Sequence, residues 1–272
     1  MRILIRHGTV VTASGASPRD VLIEGEKIAR VEPEIAEPAD RVIEARGKYV
    51  IPGGMDVHTH LDMPLGNITT SDDFESGTIA AAFGGTTCIV DFAVQTPGRP
   101  LREALETWMR KAEGRAALDY GFHMIVCDLP PEREPELDAL VGEGVTSFKL
   151  FMAYPGRLMV DDATILRALR RTASNGGTIL MHAEDGAAIE ALVRRALAER
   201  KTAPKYHALT RPASTEADAT RRAIALAGRA GVPIYIVHVS AAEAADEIAA
   251  ARGHGAVVWG ETCPQYLLLS EE

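Results

Sequence analysis

The 272-residue sequence predicts an α/β fold, namely a (β/α)₈ TIM-like barrel preceded by a small β module. After residue 51, short apolar runs alternate with helical segments seven times, as expected for strands that are buried on both faces of a parallel sheet. Before residue 50, short β-rich runs follow one another with only turn residues between them. We therefore predict a β module at 1–50 and a barrel domain at 51–272.

The β module is expected to begin with a strand at 2–11, rich in β-branched residues. Two further runs, at 21–23 and 28–31, flank Gly25 and predict a hairpin. So few strands need a partner layer to bury one face. We therefore expect a composite β-sandwich whose second half is not among these residues.

The strands predicted for the barrel are short and mostly continuous in apolar residues. They lie at 54–60, 86–93, 120–127, 147–153, 178–183, 234–240 and 256–261. Helix starts are predicted at Asp161 and, from a capping box, at Ser240. An eighth strand is expected beyond Glu272. A doubly wound open sheet is the alternative; the barrel is favoured because polar residues end several different strands.

Composition excludes several classes of function. The net charge is −9 and there is no basic run, which argues against nucleic acid or an anionic membrane as a partner. No apolar run approaches the ~20 residues of a membrane span, and the N-terminus has no signal-peptide pattern. Three widely spaced cysteines favour thiols in a reducing compartment, so we expect a cytoplasmic protein.

Histidines at strand ends predict a metal site. His58 and His60 are one residue apart on a strand, so both side chains point to the same face. His182 and His238 end two later strands, and the strand ends of a barrel converge on one mouth. A lone histidine there is more often structural, but four together favour metal. The remaining histidines do not fit this set: His7, His123, His207 and His254.

Lys149 lies inside an apolar strand, where a bare ammonium carries a large desolvation cost. One interpretation is a lysine paired with a carboxylate such as Asp56 or Glu184. The other is a neutral lysine that has added CO₂. The resulting carbamate has two donor oxygens and can bridge two metal ions.

The order His58, His60, Lys149, His182 and His238 on β/α repeats resembles the amidohydrolase superfamily with a binuclear centre. Three segments resemble the dihydropyrimidinase/hydantoinase family more closely, and the resemblance runs over the whole chain. They are 53–64 (Gly-Gly-Met-Asp-Val-His-Thr-His-Leu-Asp-Met-Pro), 148–154 (Phe-Lys-Leu-Phe-Met-Ala-Tyr) and 261–267 (Glu-Thr-Cys-Pro-Gln-Tyr-Leu).

The resemblance implies a set of ligands. His58 and His60 would bind one divalent metal ion, and His182 and His238 a second, both most often zinc. Lys149 would be an N6-carboxylysine that bridges the two ions.

The resemblance also implies the reaction, an EC 3.5.2-type hydrolysis in pyrimidine catabolism. A hydroxide that bridges the metal ions would attack a cyclic amide or ureide and give an N-carbamoyl amino acid. Tyr154 would stabilise the oxyanion. The family has a further Asp ligand at the end of strand eight, expected beyond this stretch. Homotetramers are typical of the family.

The substrate is less sharply predicted. Dihydroorotases carry a motif similar to His-x-His-Leu-Arg at the first strand, and its arginine meets the substrate carboxylate. This sequence has Asp62 in place of that arginine, so a neutral ring substrate is favoured over an anionic one. A 5,6-dihydropyrimidine or a 5-substituted hydantoin fits best. Alternatives are an allantoinase-like enzyme, a non-catalytic relative similar to the collapsin-response mediator proteins, and an incomplete, inactive chain.

Overall fold

A computed structural model describes residues 1–270, and the chain divides into two units. The first unit contains Met1–Met55 and Phe83–Cys88. The second contains Asp56–Ala82 and the residues from Ile89 onward. The boundary at residue 50 that the sequence suggests stays a prediction.

The first unit is built on one five-stranded sheet. Its strands are β1 (Arg2–Thr12), β2 (Gly15–Glu24), β3 (Lys27–Glu32), β4 (Arg41–Glu44) and β5 (Tyr49–Val50). The order is β3-β2-β1-β4, and β5 also pairs with β1. The predicted hairpin is confirmed, since β2 and β3 pair antiparallel around Gly25. Leu4, Leu22 and Ile35 form its small core.

Most of the remaining strands and helices form a seven-stranded parallel sheet with its covering helices. The next strands and helices in chain order are β6 (Gly54–Thr59), the short strands β7 (Pro64–Leu65) and β8 (Ile68–Thr69), α1 (Phe74–Phe83), β9 (Thr86–Val94), α2 (Leu101–Ala112), β10 (Asp119–Ile125), α3 (Glu134–Gly142), β11 (Ser147–Phe151), α4 (Asp162–Asn175), β12 (Thr178–His182), α5 (Gly186–Ala198), α6 (Lys205–Leu209), α7 (Ala213–Ala230), β13 (Ile234–Ile236), α8 (Ala242–Gly253) and β14 (Val258–Gly260). The sheet order is β14-β13-β12-β11-β10-β9-β6, and β7 pairs only with β8.

The sheet is curled into a barrel wall. Strands β6 and β14 stand at opposite ends of the sheet order. A flat sheet of seven strands spaced ~4.8 Å apart would separate them by about 29 Å. Nevertheless His58, on β6, hydrogen-bonds Glu261, which directly follows β14. The predicted barrel class is therefore confirmed, with seven strands in residues 1–270.

Alternating side chains on β11 separate two apolar layers. Phe148 and Leu150 belong to the large core between the sheet and the helices. Lys149 and Phe151 face the other way, as the period of two requires. Phe151 packs in a smaller cluster inside the curl, which consists of Phe92, Ile125, Cys127, Phe151, Leu180 and Val237. This inner cluster is the floor beneath the strand ends.

Helix starts agree with the sequence at one position and disagree at another. Asp161 caps α4, where its carboxylate accepts a hydrogen bond from the Thr164 N–H. The capping box predicted at Ser240 is wrong, because α8 has no side-chain cap. The Ser240 hydroxyl donates instead to Glu216, 2.5 Å away. A partner 24 residues distant in sequence therefore replaces the local cap.

Cys127 gives a test of how closed the inner cluster is. Burial raises the pKa of its thiol to about 12, so only about one thiol in 10⁴ is ionised at pH 8. We expect iodoacetamide at pH 8 to leave Cys127 unmodified in the native protein and to label it after unfolding in guanidinium. Peptide mass spectrometry reads out the result, and rapid native labelling would contradict this packing.

Within residues 1–270, no helix combines the length and the apolar character needed to cross a membrane.

Candidate metal centre

His58 and His60, at the end of the first barrel strand, lie side by side. Their ring centroids are 5.3 Å apart, and both rings pack on Phe92 with centroid distances of 4.7 Å. Asp56 accepts a hydrogen bond of 3.0 Å from the backbone N–H of His58. The Nδ1 atom of His60 is buried and has no hydrogen-bond partner among residues 1–270. An orphaned buried nitrogen of this kind needs a partner that the described protein atoms do not supply.

Lys149 reaches the same point from β11 and is only 1% exposed. Its Nζ lies 3.1 Å from His58 Nε2. It also lies 4.4 Å from the ring centroid of Phe92 and 5.1 Å from that of Phe151. Among the described residues it forms no ion pair with Asp56 or Glu184, which bond to His58 and His182 instead. The interpretation of Lys149 as half of a simple ion pair is therefore not supported.

His182 and His238 arrive from the ends of β12 and β13. The Nδ1 of His182 lies 2.9 Å from the Nε2 of His238. His182 also stacks on Phe151 with a centroid distance of 4.8 Å. His238 has a backbone φ of +40°, which non-glycine residues rarely adopt. Strain of this kind is concentrated at functional sites.

Two carboxylates, Glu184 and Glu261, hold two of these rings, a contact that the sequence pattern did not predict for either residue. Glu261 hydrogen-bonds the Nδ1 of His58. Glu184 lies 2.6 Å from the Nε2 of His182, and its second oxygen lies 3.7 Å from Arg211. A carboxylate on the outer nitrogen of a ligand histidine orients the ring and raises its basicity.

Burial dominates the electrostatics of the cluster. It lowers the pKa of His60 to about 3 and that of His238 to about 2, and neighbouring positive groups add to both shifts. It lowers the pKa of Lys149 to about 7, against the opposing charge of Glu261. The His60 and His238 rings are therefore neutral at pH 7, as metal binding requires. Burial likewise favours the uncharged amine of Lys149, the form that can react with CO₂.

The side chains in residues 1–270 do not stand as a ready-made cage, because no three His, Cys, Asp or Glu residues are spaced to hold one ion. The nitrogens meet one another instead, as in the 2.9 Å contact between His182 and His238. Two neutral imidazoles at this distance share one ring proton. The donor chemistry nevertheless fits zinc, which imidazole nitrogens and carboxylate-type oxygens bind well.

A cavity of about 1020 Å³ opens beside His182 and His238. Tyr154 lines it together with Glu184 and Arg211. Tyr154 has a backbone φ of +65°, and its ring centroid lies 5.3 Å from that of His182. Burial raises the pKa of the Tyr154 hydroxyl. The phenol is therefore protonated at neutral pH and can donate a hydrogen bond into the cavity.

Asp62 lies close to two basic side chains, Lys111 and Arg115. Its carboxylate lies 3.9 Å from Lys111 Nζ and 4.0 Å from Arg115 Nη1. These partners offset its charge, so Asp62 no longer argues against an anionic substrate. Lys111 lies 49 residues after Asp62, so no local pattern predicts this pairing.

His123, which the sequence pattern left outside the ligand set, has a structural place. Its Nε2 lies 2.9 Å from the backbone oxygen of Val57, and its Nδ1 bonds the Ser147 hydroxyl.

Asp91 is also fully buried beside the site. It accepts hydrogen bonds from the Thr59 hydroxyl and from the backbone N–H of Leu61, both at 2.8 Å. These contacts fix the strand end that carries His60.

Comparison with known proteins identifies the family of this chain. The family model for the amidohydrolase family matches residues 49–262. The chain belongs to the amidohydrolase family. That match spans all the predicted ligands, so the members of the site lie within the family's own domain.

Relatives within this family make the predicted resemblance to the dihydropyrimidinase/hydantoinase family secure. The chain is 56% identical to a D-hydantoinase of Streptomyces coelicolor and covers 59% of it. It is 50% identical to a D-hydantoinase of Geobacillus stearothermophilus and covers 58% of that protein. The crystal structure of a dihydropyrimidinase from Brevibacillus agri superposes with a TM-score of 0.97 at 50% identity. All of this chain is matched each time, but it spans only about three fifths of these relatives.

Proposed function

We propose that the protein hydrolyses a cyclic ureide, either a 5-substituted hydantoin or a 5,6-dihydropyrimidine, to an N-carbamoyl amino acid. The observation that carries the proposal is that four histidines and Lys149, whose pKa burial lowers to about 7, lie together at the barrel mouth. The 56% identity to a D-hydantoinase supports the choice of substrate class.

Two divalent ions, zinc by preference, are proposed to occupy this site. His58 and His60 would hold one ion, and His182 and His238 the other. The unpartnered His60 Nδ1 and the neutral rings support this assignment. Bound ions of this kind activate water at neutral pH and polarise a carbonyl group.

Lys149 is proposed to be an N6-carboxylysine that bridges the two ions. Its amine attacks CO₂, a proton leaves the nitrogen, and the new carbamate carries one negative charge on two oxygens. Support comes from its burial, which favours the neutral amine, and from its place beside His58. The modification also removes the cost of an unpaired ammonium between Phe92 and Phe151.

Tyr154 and the carboxylates have distinct proposed tasks. The protonated Tyr154 hydroxyl would donate to the substrate carbonyl oxygen as it gains negative charge. Glu184 would keep the His182 ring in place through its 2.6 Å contact. The apolar floor formed by Phe92 and Phe151 would limit water around the reacting carbonyl.

Tyr154→Phe removes only the hydroxyl that is proposed to donate. We expect kcat to fall by about 10²–10³-fold, as for the loss of one oxyanion donor, with metal content unchanged. Steady-state kinetics and metal analysis give the two readouts. A variant with wild-type kcat would exclude Tyr154 from this role, and the surface variant Tyr49→Phe is a control for the substitution itself.

The substrate assay tests the proposal as a whole. Protein expressed from its complete gene, loaded with zinc and bicarbonate, is given both enantiomers of a 5-substituted hydantoin, dihydrouracil, allantoin and dihydroorotate. We expect N-carbamoyl products from the first two classes. Preference for allantoin would favour the allantoinase-like alternative, and no turnover by metal-loaded protein would favour a non-catalytic relative.

Assembly and location are proposed from the family resemblance and from composition. A homotetramer in the cytoplasm is the proposed state, in line with the three widely spaced cysteines. Light scattering at micromolar concentration measures the mass, and a monomer in solution would contradict the tetramer.

A further inference from the structure

Glu261 is the point on which three hydrogen-bond donors converge. It follows β14 directly, and its side chain is 15% exposed. Its Oε1 accepts from the His58 ring and, at 3.4 Å, from the backbone N–H of His238. Its Oε2 accepts from the Tyr235 hydroxyl at 3.0 Å. Both oxygens are therefore engaged by the protein.

The contact with Glu261 determines which ring nitrogen of His58 is available to bind a metal ion. A neutral imidazole carries one proton, and a carboxylate can only accept. The proton therefore sits on Nδ1, and the lone pair is on Nε2. That Nε2 faces Lys149 Nζ at 3.1 Å, which is the direction of the proposed metal bridge.

We propose that Glu261 is a positioning residue that sets the ring tautomer and orientation of His58 for metal binding. The inference rests on the proposed function, since it concerns the same metal centre. Through the His238 backbone N–H, the same carboxylate also fixes the strand end that carries a ligand of the second ion. Glu261 thus connects β6 with β13 and β14 at one point, although His58 on β6 lies 203 residues earlier in the sequence.

Glu261 acts as a positioning group and not as a ligand itself, because its oxygens have other partners. Coordination through Oε1 would compete with the His58 contact, and coordination through Oε2 would compete with Tyr235. The Glu184 contact with His182 shows the same arrangement on the other side of the centre. Each proposed ion therefore has one histidine ligand held by a carboxylate.

The test measures zinc affinity of the full protein by competition with a chelator of known affinity. We expect Glu261→Ala to weaken binding by about 10–100-fold. Glu261→Gln keeps an acceptor for the Nδ1 proton, so its affinity should lie between those of Glu261→Ala and the wild type. Cobalt loading gives a second readout, since a reoriented His58 changes the visible absorption bands of bound Co²⁺.

Two controls separate positioning from general damage. Tyr235→Phe removes one donor but leaves the His58 contact, so affinity should change by no more than a few-fold. Glu247→Gln makes the same chemical change on α8, where Glu247 pairs with Arg221 far from the centre. Thermal unfolding identifies any variant that fails to fold, in which case Glu261→Gln carries the test.

Three outcomes would overturn the inference. Zinc affinity and cobalt spectrum of Glu261→Ala equal to those of the wild type would show that Glu261 does not position His58. Loss of one full metal equivalent with the other unaffected would show that Glu261 is itself a ligand. Wild-type protein that binds no metal would overturn the proposed function together with this inference. The first two results, in contrast, would overturn the inference alone.

Discussion

Lys149→Ala is expected to abolish binding of the proposed metal pair and to lower the proposed ring-opening activity by roughly 10³-fold or more, because the proposed bridging ligand and several kcal/mol of transition-state stabilisation would be lost together. The fold should survive, since the substitution removes a buried amine that burial disfavours in its charged form. Metal analysis, kinetics and thermal unfolding on one preparation measure the three quantities.

Lys27→Ala is the matched control for Lys149→Ala, because Lys27 is exposed in the hairpin between β2 and β3. It should leave metal content and activity unchanged. A Lys149→Ala protein that retained two metal equivalents and wild-type turnover would contradict the role of Lys149 as the bridge. Bicarbonate labelled with ¹³C adds a direct observation, since a carbamate carbon signal should be present in the wild type and absent from the variant.

Asp91→Ala is expected to lower the free energy of unfolding by about 3 kcal/mol, the cost of leaving three partly or fully buried donors without their acceptor. The donors are the Thr59 hydroxyl, the Leu61 N–H and the Phe92 N–H. The first two flank His60, so metal affinity should fall as well. Urea unfolding of the metal-free protein isolates the stability term.

Asp161→Ala provides the comparison for Asp91→Ala, because it removes a carboxylate that accepts one hydrogen bond, from the Thr164 N–H, at an exposed helix cap. Loss of that cap should cost about 1 kcal/mol. Asp91→Asn keeps one acceptor oxygen and should fall between wild type and Asp91→Ala. If Asp91→Ala is no more destabilised than Asp161→Ala, the buried hydrogen bonds do not stabilise the strand end as argued.

Local periodicity predicted the parts of this protein that depend on neighbouring residues. The spacing of His58 and His60 placed both on one face of a strand, and the structure brings their rings to 5.3 Å. The position of Lys149 inside an apolar strand indicated an unusual environment, and the residue is in fact buried. The Asp161 cap needed only three residues of context.

Pairings across long stretches of sequence could not be predicted in the same way. Glu261 and His58 are 203 residues apart, and no local pattern connects them. Ser240 has the local pattern of a helix cap, but Glu216 on a neighbouring helix accepts from its hydroxyl. In both cases tertiary packing determined the partner, and no periodicity in the sequence records it.

Metal stoichiometry is the most direct test of the central claim, that four histidines and Lys149 form a two-metal centre. The protein expressed from its complete gene is incubated with zinc and bicarbonate, freed of unbound metal by gel filtration, and analysed by inductively coupled plasma mass spectrometry. We expect about two zinc equivalents per chain, falling to near zero in Lys149→Ala. Wild-type protein that retains no zinc after this loading would contradict it.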